Sequence, residues 1–443
     1  MDSVRVERAL RPGRTWRCSQ HNINKMKGIK TMKPNGPINF RLLILLLFCV
    51  AATWTFAQSP NVIISGVVMD RNSRDVLSQV NVSIPGAHVS TVTNEDGYFV
   101  LKTDVLPDRI MLSHIGYKSR YMNIDANNKE NLKIHMSPSS IMLREIVINP
   151  DDPLDILNQA LLRISENYGR KPRLMQTFYR ETAQKRSRYI YVAEAVAELM
   201  KTGYNHNINH DWVAIVKGRS LVSPRKTDTL GVKIEGGPVL ANSLDVVKNR
   251  DFIFNTEELQ HYRFSMSVPE MIDDRLQCVI LMEPAMLADY ALYHGKFYVD
   301  NENYTITRAE LTLDMRDHVK ATQLMLVKKP MGVRFKPKEL SVLVNFKKDG
   351  EFSRIHYVRT VMRFNCDWKR RLMSSPFTVV TEMVVTDQLQ EVHGRPGKGT
   401  FSKWDSFYDK LDLFNDPDFW KDYNIIEPSE SLESGIAKIK RQH

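Results

Sequence analysis

The sequence predicts a mainly β protein, in which a seven-stranded β-sandwich is followed by a larger, curved antiparallel sheet with a few helices. In residues 58–140, short alternating or β-branched runs are separated by closely spaced Gly, Pro, Asn and Asp, which is typical of a sandwich. In residues 173–390, longer alternating runs indicate a sheet with one buried and one wet face. The 443 residues, of which 42% are hydrophobic and 26% charged, suffice for two or three domains with their own cores.

Residues 1–57 are interpreted as a leader that ends in a secretory signal peptide. They hold ten Lys/Arg and two acidic residues, and their apolar run RLLILLLFCVAATWTFA closes with small residues at the cleavage-site positions. The alternative is a membrane anchor, which needs about 20 apolar residues, and this run is shorter. We therefore expect an exported protein whose association with a membrane is peripheral at most.

The net charge of +11 does not predict binding to nucleic acid. Most of the positive excess lies in the leader, and the remainder of the chain is nearly balanced. A balanced chain lacks the strong basic footprint that attracts a phosphate backbone. Nucleic acid is therefore not expected among the partners.

Within the predicted sandwich, the stretch TNEDGYFVL places Asn, Glu and Asp directly before Gly97. A calcium loop with Gly97 at its sixth position would start at Val92 and end at Thr103, and neither residue supplies the ligand needed there. Good strand sequences flank the stretch, and Gly after Asp favours a tight turn because Gly accepts a positive φ. The sequence therefore predicts a structural turn at Asn94, Asp96 and Gly97 that closes a β-hairpin.

Residues 141–172 are predicted to form a linker and an amphipathic helix. Asp151 or Asp152 is placed to cap this helix, and Pro153 suits its first turn. Its apolar positions recur at helical spacing, at Ile156, Leu157, Ala160, Leu161 and Ile164. Such a stripe indicates a helix that either covers the following sheet or binds a partner.

The predicted large sheet, residues 173–390, begins with two runs that are expected to pair, LMQTFYRETAQ and RYIYVAEAVAEL. Further along, YHGKFYVDNENYTITRAELTLD indicates a hairpin that turns at residues 300–303. Residues 206–238 look irregular and are interpreted as a long loop over the sheet. Residues 245–259 are predicted to be a short helical insertion.

Residues 391–443 are predicted to be an aromatic-rich tail with a terminal helix. The aromatic residues either form an exposed carbohydrate platform or pin the tail onto the sheet; they are Phe401, Trp404, Phe407, Phe414, Phe419, Trp420 and Tyr423. The terminal helix has Leu432, Ile436 and Ile439 on its apolar side.

No motif predicts a catalytic, cofactor-binding or metal-binding residue, and no cofactor is expected. No histidine is followed by an acid three residues later, as zinc hydrolases often require. His206 and His210 have helical spacing, but the Asn-rich run around them is typical of a loop. The sequence contains no GxSxG or GxGxxG motif and no phosphate-binding P-loop. A pair of carboxylates that meets only in the folded chain remains open.

Cys278 and Cys366 are the two cysteines beyond the leader. In an oxidising compartment they form either one disulfide or two separate buried thiols, and the sequence leaves both open.

The predicted sandwich resembles the carboxypeptidase regulatory-like domain, a transthyretin-like sandwich, of exported Bacteroidetes proteins. The resemblance rests on SGVVMD, VNVSIPG, TNEDGYF and HIGYKS, in that order. The domain is named after carboxypeptidases in which it follows a catalytic zinc domain. The present chain lacks zinc-ligand motifs, so the resemblance implies no peptidase activity. It implies a location in the periplasm or at the outer membrane.

Three functions agree with these features. The preferred one is a non-enzymatic envelope protein that acts as a binding or structural module, with an envelope protein, a glycan or a lipid as its partner. The second is a periplasmic carrier of a lipid or another hydrophobe in the concave sheet, because GKFYVDNENYTITRAEL is similar to a hairpin of half-barrel lipoprotein carriers; this function predicts an apolar cavity. The third is a hydrolase, which predicts perturbed acids that converge in a pocket.

Overall fold

The computed structural model describes residues 62–139, 152–228, 235–326, 332–368, 374–389, 400–407, 412–413 and 419–443. These residues belong to one compact unit, Ser59–His443. The predicted signal peptide and most of the predicted linker lie outside the described residues. No helix in these ranges has the length and apolar character needed to cross a bilayer.

The first described segment is a β-sandwich of seven strands, as the sequence predicts. Its strands are β1 (Val62–Asp70), β2 (Asn81–Ser83), β3 (Ser90–Val92), β4 (Tyr98–Thr103), β5 (Arg109–Ser113), β6 (Arg120–Asn123) and β7 (Leu132–Met136). One sheet has the order β4-β1-β7 and the other β3-β2-β5-β6. The apolar residues that alternate along the strands, such as Ile64, Phe99 and Leu112, meet between the two sheets and are fully buried.

Thirteen further strands in the described ranges form one large sheet. They are β8 (Arg173–Lys185), β9 (Arg188–Lys201), β10 (Trp212–Val222), β11 (Tyr262–Met266), β12 (Glu270–Ile272), β13 (Arg275–Pro284), β14 (Tyr293–Asp300), β15 (Ile306–Leu313), β16 (Val333–Asp349), β17 (Phe352–Trp368), β18 (Ser375–Leu389), β19 (Thr400–Phe401) and β20 (Asp412–Leu413). The main order is β11-β13-β14-β15-β16-β17-β18-β8-β9-β10-β19, with β12 beside β13 and β20 beside β10. All pairs are antiparallel except β10 with β20. The predicted pairing of β8 with β9 and the hairpin between β14 and β15 are both confirmed.

The interpretation of residues 206–238 as one long loop is wrong, because β10 lies within this segment and pairs with β9 along its whole length. The register shifts between Ile215 and Lys217. Such a bulge breaks the alternation of apolar and polar residues on which a strand prediction depends.

Seven α-helices in the described ranges complete the fold. They are α1 (Pro153–Leu162), α2 (Ile164–Asn167), α3 (Gly237–Ser243), α4 (Arg250–Ile253), α5 (Thr256–Leu259), α6 (His318–Met325) and α7 (Glu430–Lys440). Asp152 caps α1 by accepting a hydrogen bond from the Leu154 amide at 2.9 Å. The apolar stripe of α1 packs into the main core of the large sheet, which favours the interpretation of α1 as a covering helix.

The two faces of the large sheet have different covers. Tyr179 belongs to the main core together with residues of α1, α3 and α4. The adjacent Phe178 points to the opposite face, where it packs with Val92 of the sandwich and Trp420 of the tail. The sandwich and the tail therefore lie on one face of the sheet, and helices α1, α3 and α4 lie on the other.

Cys278 and Cys366 are buried thiols and form no disulfide. They lie on β13 and β17, which are separated by three strands. That separation is about 19 Å along the sheet, whereas a disulfide needs Cα atoms within about 7 Å. The Cys278 thiol donates to Asn301 Oδ1 at 3.2 Å.

Candidate binding cleft

The predicted turn at Asn94, Asp96 and Gly97 is present. Asn94 Oδ1 accepts hydrogen bonds from the amides of Asp96 at 3.0 Å and Tyr98 at 2.9 Å, and Gly97 has a φ of 71°. The two flanking strands, β3 and β4, belong to different sheets of the sandwich. The turn therefore crosses between the sheets, and its interpretation as the end of a hairpin is wrong in this respect.

The polar side chains of this turn hold the tail segment, which we define as residues 419–443. Asn94 Nδ2 donates to the Pro428 carbonyl at 3.1 Å, and Asp96 Oδ2 accepts from the Glu430 amide at 2.7 Å. Glu430 is the first residue of α7, so the Asp96 carboxylate lies at the positive end of that helix. Two of the side chains that resemble calcium ligands, Asn94 and Asp96, thus dock the tail. No group of three metal-ligating side chains occurs in the described ranges.

A second set of contacts fixes the tail segment to the sandwich. Lys102 Nζ donates to the carbonyls of Trp420 at 2.7 Å and Tyr423 at 3.0 Å. Asn424 exchanges two hydrogen bonds with the backbone of Lys102. Trp420 is buried against the sheet, which favours the interpretation of these aromatic residues as pins, whereas Trp404 is 63% exposed.

The face of the sheet beneath the tail carries a buried ionic network around Glu194. Arg180 Nε donates to Glu194 Oε1 at 2.8 Å, and Arg219 Nε donates to Oε2 at 2.9 Å. Trp420 Nε1 also donates to Oε2. Burial opposes the ionisation of Glu194, but the two guanidinium groups outweigh it and lower the pKa of this carboxyl.

Glu181, the next residue after Arg180, points to the opposite face and is buried in the main core. It accepts hydrogen bonds from the hydroxyls of Tyr179 and Tyr191. Burial raises the pKa of Glu181 to about 7, although both hydroxyls act to lower it. The run Phe178–Glu181 (FYRE) of β8 therefore alternates between the two faces of the sheet. Phe178 and Arg180 face the tail, whereas Tyr179 and Glu181 face the main core.

His206 and His210 lie in exposed positions of a loop, with their ring centroids 6.4 Å apart. Their spacing reflects a short 3₁₀ turn at Ile208–His210. No carboxylate or thiol joins them in a metal-binding group in the described part of the chain.

A cavity of about 360 Å³ opens between the sandwich and the large sheet. One wall is the turn between β2 and β3, residues 83–90; the other is the turn between β16 and β17, together with part of β18. At the rim, His88 Nδ1 lies 2.7 Å from Asp349 Oδ2, so this contact joins the two walls. We call this cavity the cleft.

The sheet wall of the cleft carries Lys347, Arg354 and His356. His356 and Arg354 are almost completely buried, and His356 Nε2 and Arg354 Nε have no hydrogen-bond partner in the described structure. Arg354 also contacts Asp349 and donates to Gln388. Burial lowers the pKa of Lys347 to about 8 and that of Arg354 to about 10.

A smaller cavity of about 50 Å³ adjoins the cleft and shares Lys347 and His356 with it. Its sandwich side includes Asn81, whose Oδ1 atom is buried and has no partner in the described structure. Burial, together with the charges of Lys347 and Arg354, lowers the pKa of His356 well below its usual value. A neutral imidazole therefore lies between two polar cavities.

Comparison with known proteins assigns one part of the chain. Residues 64–148 match the CarboxypepD_reg-like domain, in agreement with the resemblance found in the sequence. No curated protein matches the chain.

The solved structures that match the chain include three that each cover about half of its length. They are an outer membrane lipoprotein-sorting protein domain from Vibrio parahaemolyticus (10% identity, 55% of this chain and 95% of that chain, TM-score 0.24), a LolA superfamily protein from Nitrosomonas europaea (12%, 56% and 96%, TM-score 0.17) and a DUF1329 family protein from Desulfovibrio piger (9%, 53% and 94%, TM-score 0.24). The family match assigns residues 64–148 to a CarboxypepD_reg-like domain, and the described part of the chain is mainly β.

Proposed function

We propose that this chain is an exported envelope protein that acts by binding, and that the cleft between the sandwich and the large sheet is its ligand site. The observation that carries the proposal is a cavity built by both domains and lined by buried polar atoms without partners. Leaving such an atom unpaired costs about 1–3 kcal/mol. A ligand that pairs with these atoms would offset this cost.

The size and position of the cleft support a small ligand or a headgroup. Its volume of about 360 Å³ lies in the range of about 300–1,000 Å³ that is usual for small-molecule sites, which prefer domain interfaces. Ser90 Oγ donates to the Val385 carbonyl at 3.0 Å and so joins the two walls, and outside the cleft the Gly116 amide of the sandwich donates to the Met271 carbonyl of the sheet at 3.0 Å. The site is therefore preformed.

A rim substitution tests the site. Ala87 is exposed at the mouth of the cleft, so Ala87→Trp should narrow the entrance without entering a core. Ala126→Trp, in an exposed turn of the same sandwich, is the matched control. Mass spectrometry of small molecules and lipids recovered with each protein from envelope fractions should show compounds that wild type and A126W retain and A87W loses. Equal recovery by all three proteins would contradict the proposal.

We also propose that the protein is not an enzyme. Asp349, a carboxylate at the rim of the cleft, is engaged by His88 and Arg354, so it is not placed to activate a nucleophile. Peptide, ester and glycan substrates should remain intact when incubated with the purified protein. Hydrolysis that is lost in a single acid or histidine variant would establish the hydrolase alternative.

The hydrophobe-carrier alternative uses the opposite face of the sheet. The main core on that face buries Ile156 and Leu157 of α1 and Phe254, which follows α4. A lipid chain could enter only if these side chains moved away. A fluorescent fatty acid should therefore gain no emission with the purified protein. A saturable gain that A87W does not change would place a ligand on the helix-covered face and favour the carrier.

Localisation can be measured independently. We expect the protein in the periplasmic or outer-membrane fraction, without the leader, and released from membranes by salt or alkaline wash. Retention of residues 1–57 in the inner membrane would favour the membrane-anchor interpretation.

A further inference from the structure

The sheet wall of the cleft has an excess of positive charge. Lys347, Lys348 and Arg354 line it together with two carboxylates, Asp349 and Asp387. Asp349 is engaged by Arg354 and by His88 at the rim. In the described part of the chain, no hydrogen bond or ion pair joins the side chain of Lys347 to another residue, and Asp273 acts on it only through its charge. The charge of Lys347 is therefore not neutralised by direct contact.

Two buried groups add hydrogen-bonding capacity beside Lys347. Arg354 Nε is a donor without a partner in the described structure, and a guanidinium remains charged even when it is buried. His356 Nε2 is likewise unpartnered there, and a neutral imidazole donates from one of its nitrogens. Arg354 and His356 both line the cleft, on either side of Ile355 in β17. Together with Lys347 they surround a small polar volume with a cation and two buried groups that can donate.

We propose that the cleft binds a phosphate group, held by Lys347, Arg354 and His356; this inference rests on the proposed binding function of the cleft. Lysine binds phosphate as a point charge, and charge-assisted hydrogen bonds to phosphate oxygens are strong. Of the two carboxylates that line the cleft, Asp387 on β18 has fewer contacts with positively charged side chains than Asp349. Burial raises the pKa of Asp387. The phosphate is either the free ion or part of a lipid headgroup, since the chemistry of recognition is the same for both.

Calorimetry on the purified protein with inorganic phosphate and with glycerol 1-phosphate tests the proposal at constant ionic strength. Lys347→Met removes the charge and keeps the length of the side chain, and the free energy of one charged hydrogen bond predicts binding about tenfold weaker or more. Lys338→Met is the matched control, because Lys338 is an exposed lysine of the same strand that does not line the cleft; it should bind as the wild type does. Lys347→Arg should restore most of the affinity, which a loss of folding would not allow.

The outcomes separate this proposal from the binding function. Tighter binding of glycerol 1-phosphate identifies a headgroup as the source, and tighter binding of inorganic phosphate identifies the free ion. Absence of binding to either compound, or equal affinity of wild type and K347M, would overturn the phosphate site. If A87W still loses an envelope compound in that case, the cleft binds a ligand of other chemistry and only the phosphate assignment is wrong.

Discussion

Glu181 is a carboxyl group enclosed in the main core, and burial raises its pKa from 4.5 to about 7. Because the folded chain holds this proton more tightly than the unfolded chain, the stability associated with it is full below pH 4.5 and is lost as the pH rises to about 7. Glu181→Gln resembles the protonated acid at every pH. The variant should therefore match the wild type near pH 4.5 and exceed its free energy of unfolding by about 1–3 kcal/mol at pH 8.

Denaturant titrations of wild type and E181Q at several pH values measure this difference. Glu198→Gln, at a less buried position of β9, is the control. Its difference from wild type in free energy of unfolding should change little with pH. A difference between wild type and E181Q that stays constant with pH would show that Glu181 does not titrate in the folded chain as inferred.

At the scale of single elements, helix α7 depends on a residue of the sandwich. Asp96 Oδ2 accepts from the Glu430 amide, one of the amides at a helix start that have no partner within the helix. Asp96→Ala should destabilise the docking of α7 by about 1 kcal/mol, through the lost cap and the lost charge at the helix terminus. Hydrogen exchange of the amides at residues 430–433 should accelerate.

Glu95→Ala is the matched variant for this helix, since Glu95 is in the same turn but lies 3.9 Å from Arg359 and is largely exposed. It should leave exchange in α7 unchanged. Equal exchange rates in D96A and the wild type would show that Asp96 does not hold the helix.

Most strands could be predicted from their own residues, because alternation along a strand such as β15 reports which face is buried. The prediction fails where alternation is absent. In β10 the cause is a bulge. β17 could be predicted as a strand, but its residues 353–358 are all buried, because the sandwich or tail covers one face and the main core the other, so the pattern does not show which face each residue takes. His356 therefore looked like part of an ordinary strand and was not recognised as a cleft residue.

At the scale of the whole molecule, the candidate site depends on contacts between distant parts of the chain. His88 meets Asp349 across 261 positions, and Asn94 meets Pro428 across 334. Local patterns determine each partner's strand or turn, but not which strands face each other across the two domains. The turn at Asn94 was predictable, whereas the segment it holds and the cleft were not.

The network around Glu194 connects three strands of the sheet with the tail, because Arg180 lies on β8, Arg219 on β10 and Trp420 in the tail segment. Glu194→Gln would leave two guanidinium groups without their carboxylate, and breaking a buried ion pair costs about 3–5 kcal/mol. Glu198→Gln, four residues along β9 on the same face, should have little effect. Thermal and denaturant unfolding of both variants measure the difference.

The pH dependence gives this prediction a second readout. The pKa of Glu194 is lowered in the folded chain, so its contribution to stability is present above its ordinary pKa of 4.5 and is lost as the pH falls through the folded value. The advantage of wild type over E194Q should therefore shrink in acid, opposite to the trend expected for E181Q. Similar stability of E194Q and E198Q at neutral pH would mean that Trp420 and the apolar contacts around Phe178 hold the tail without the ionic network.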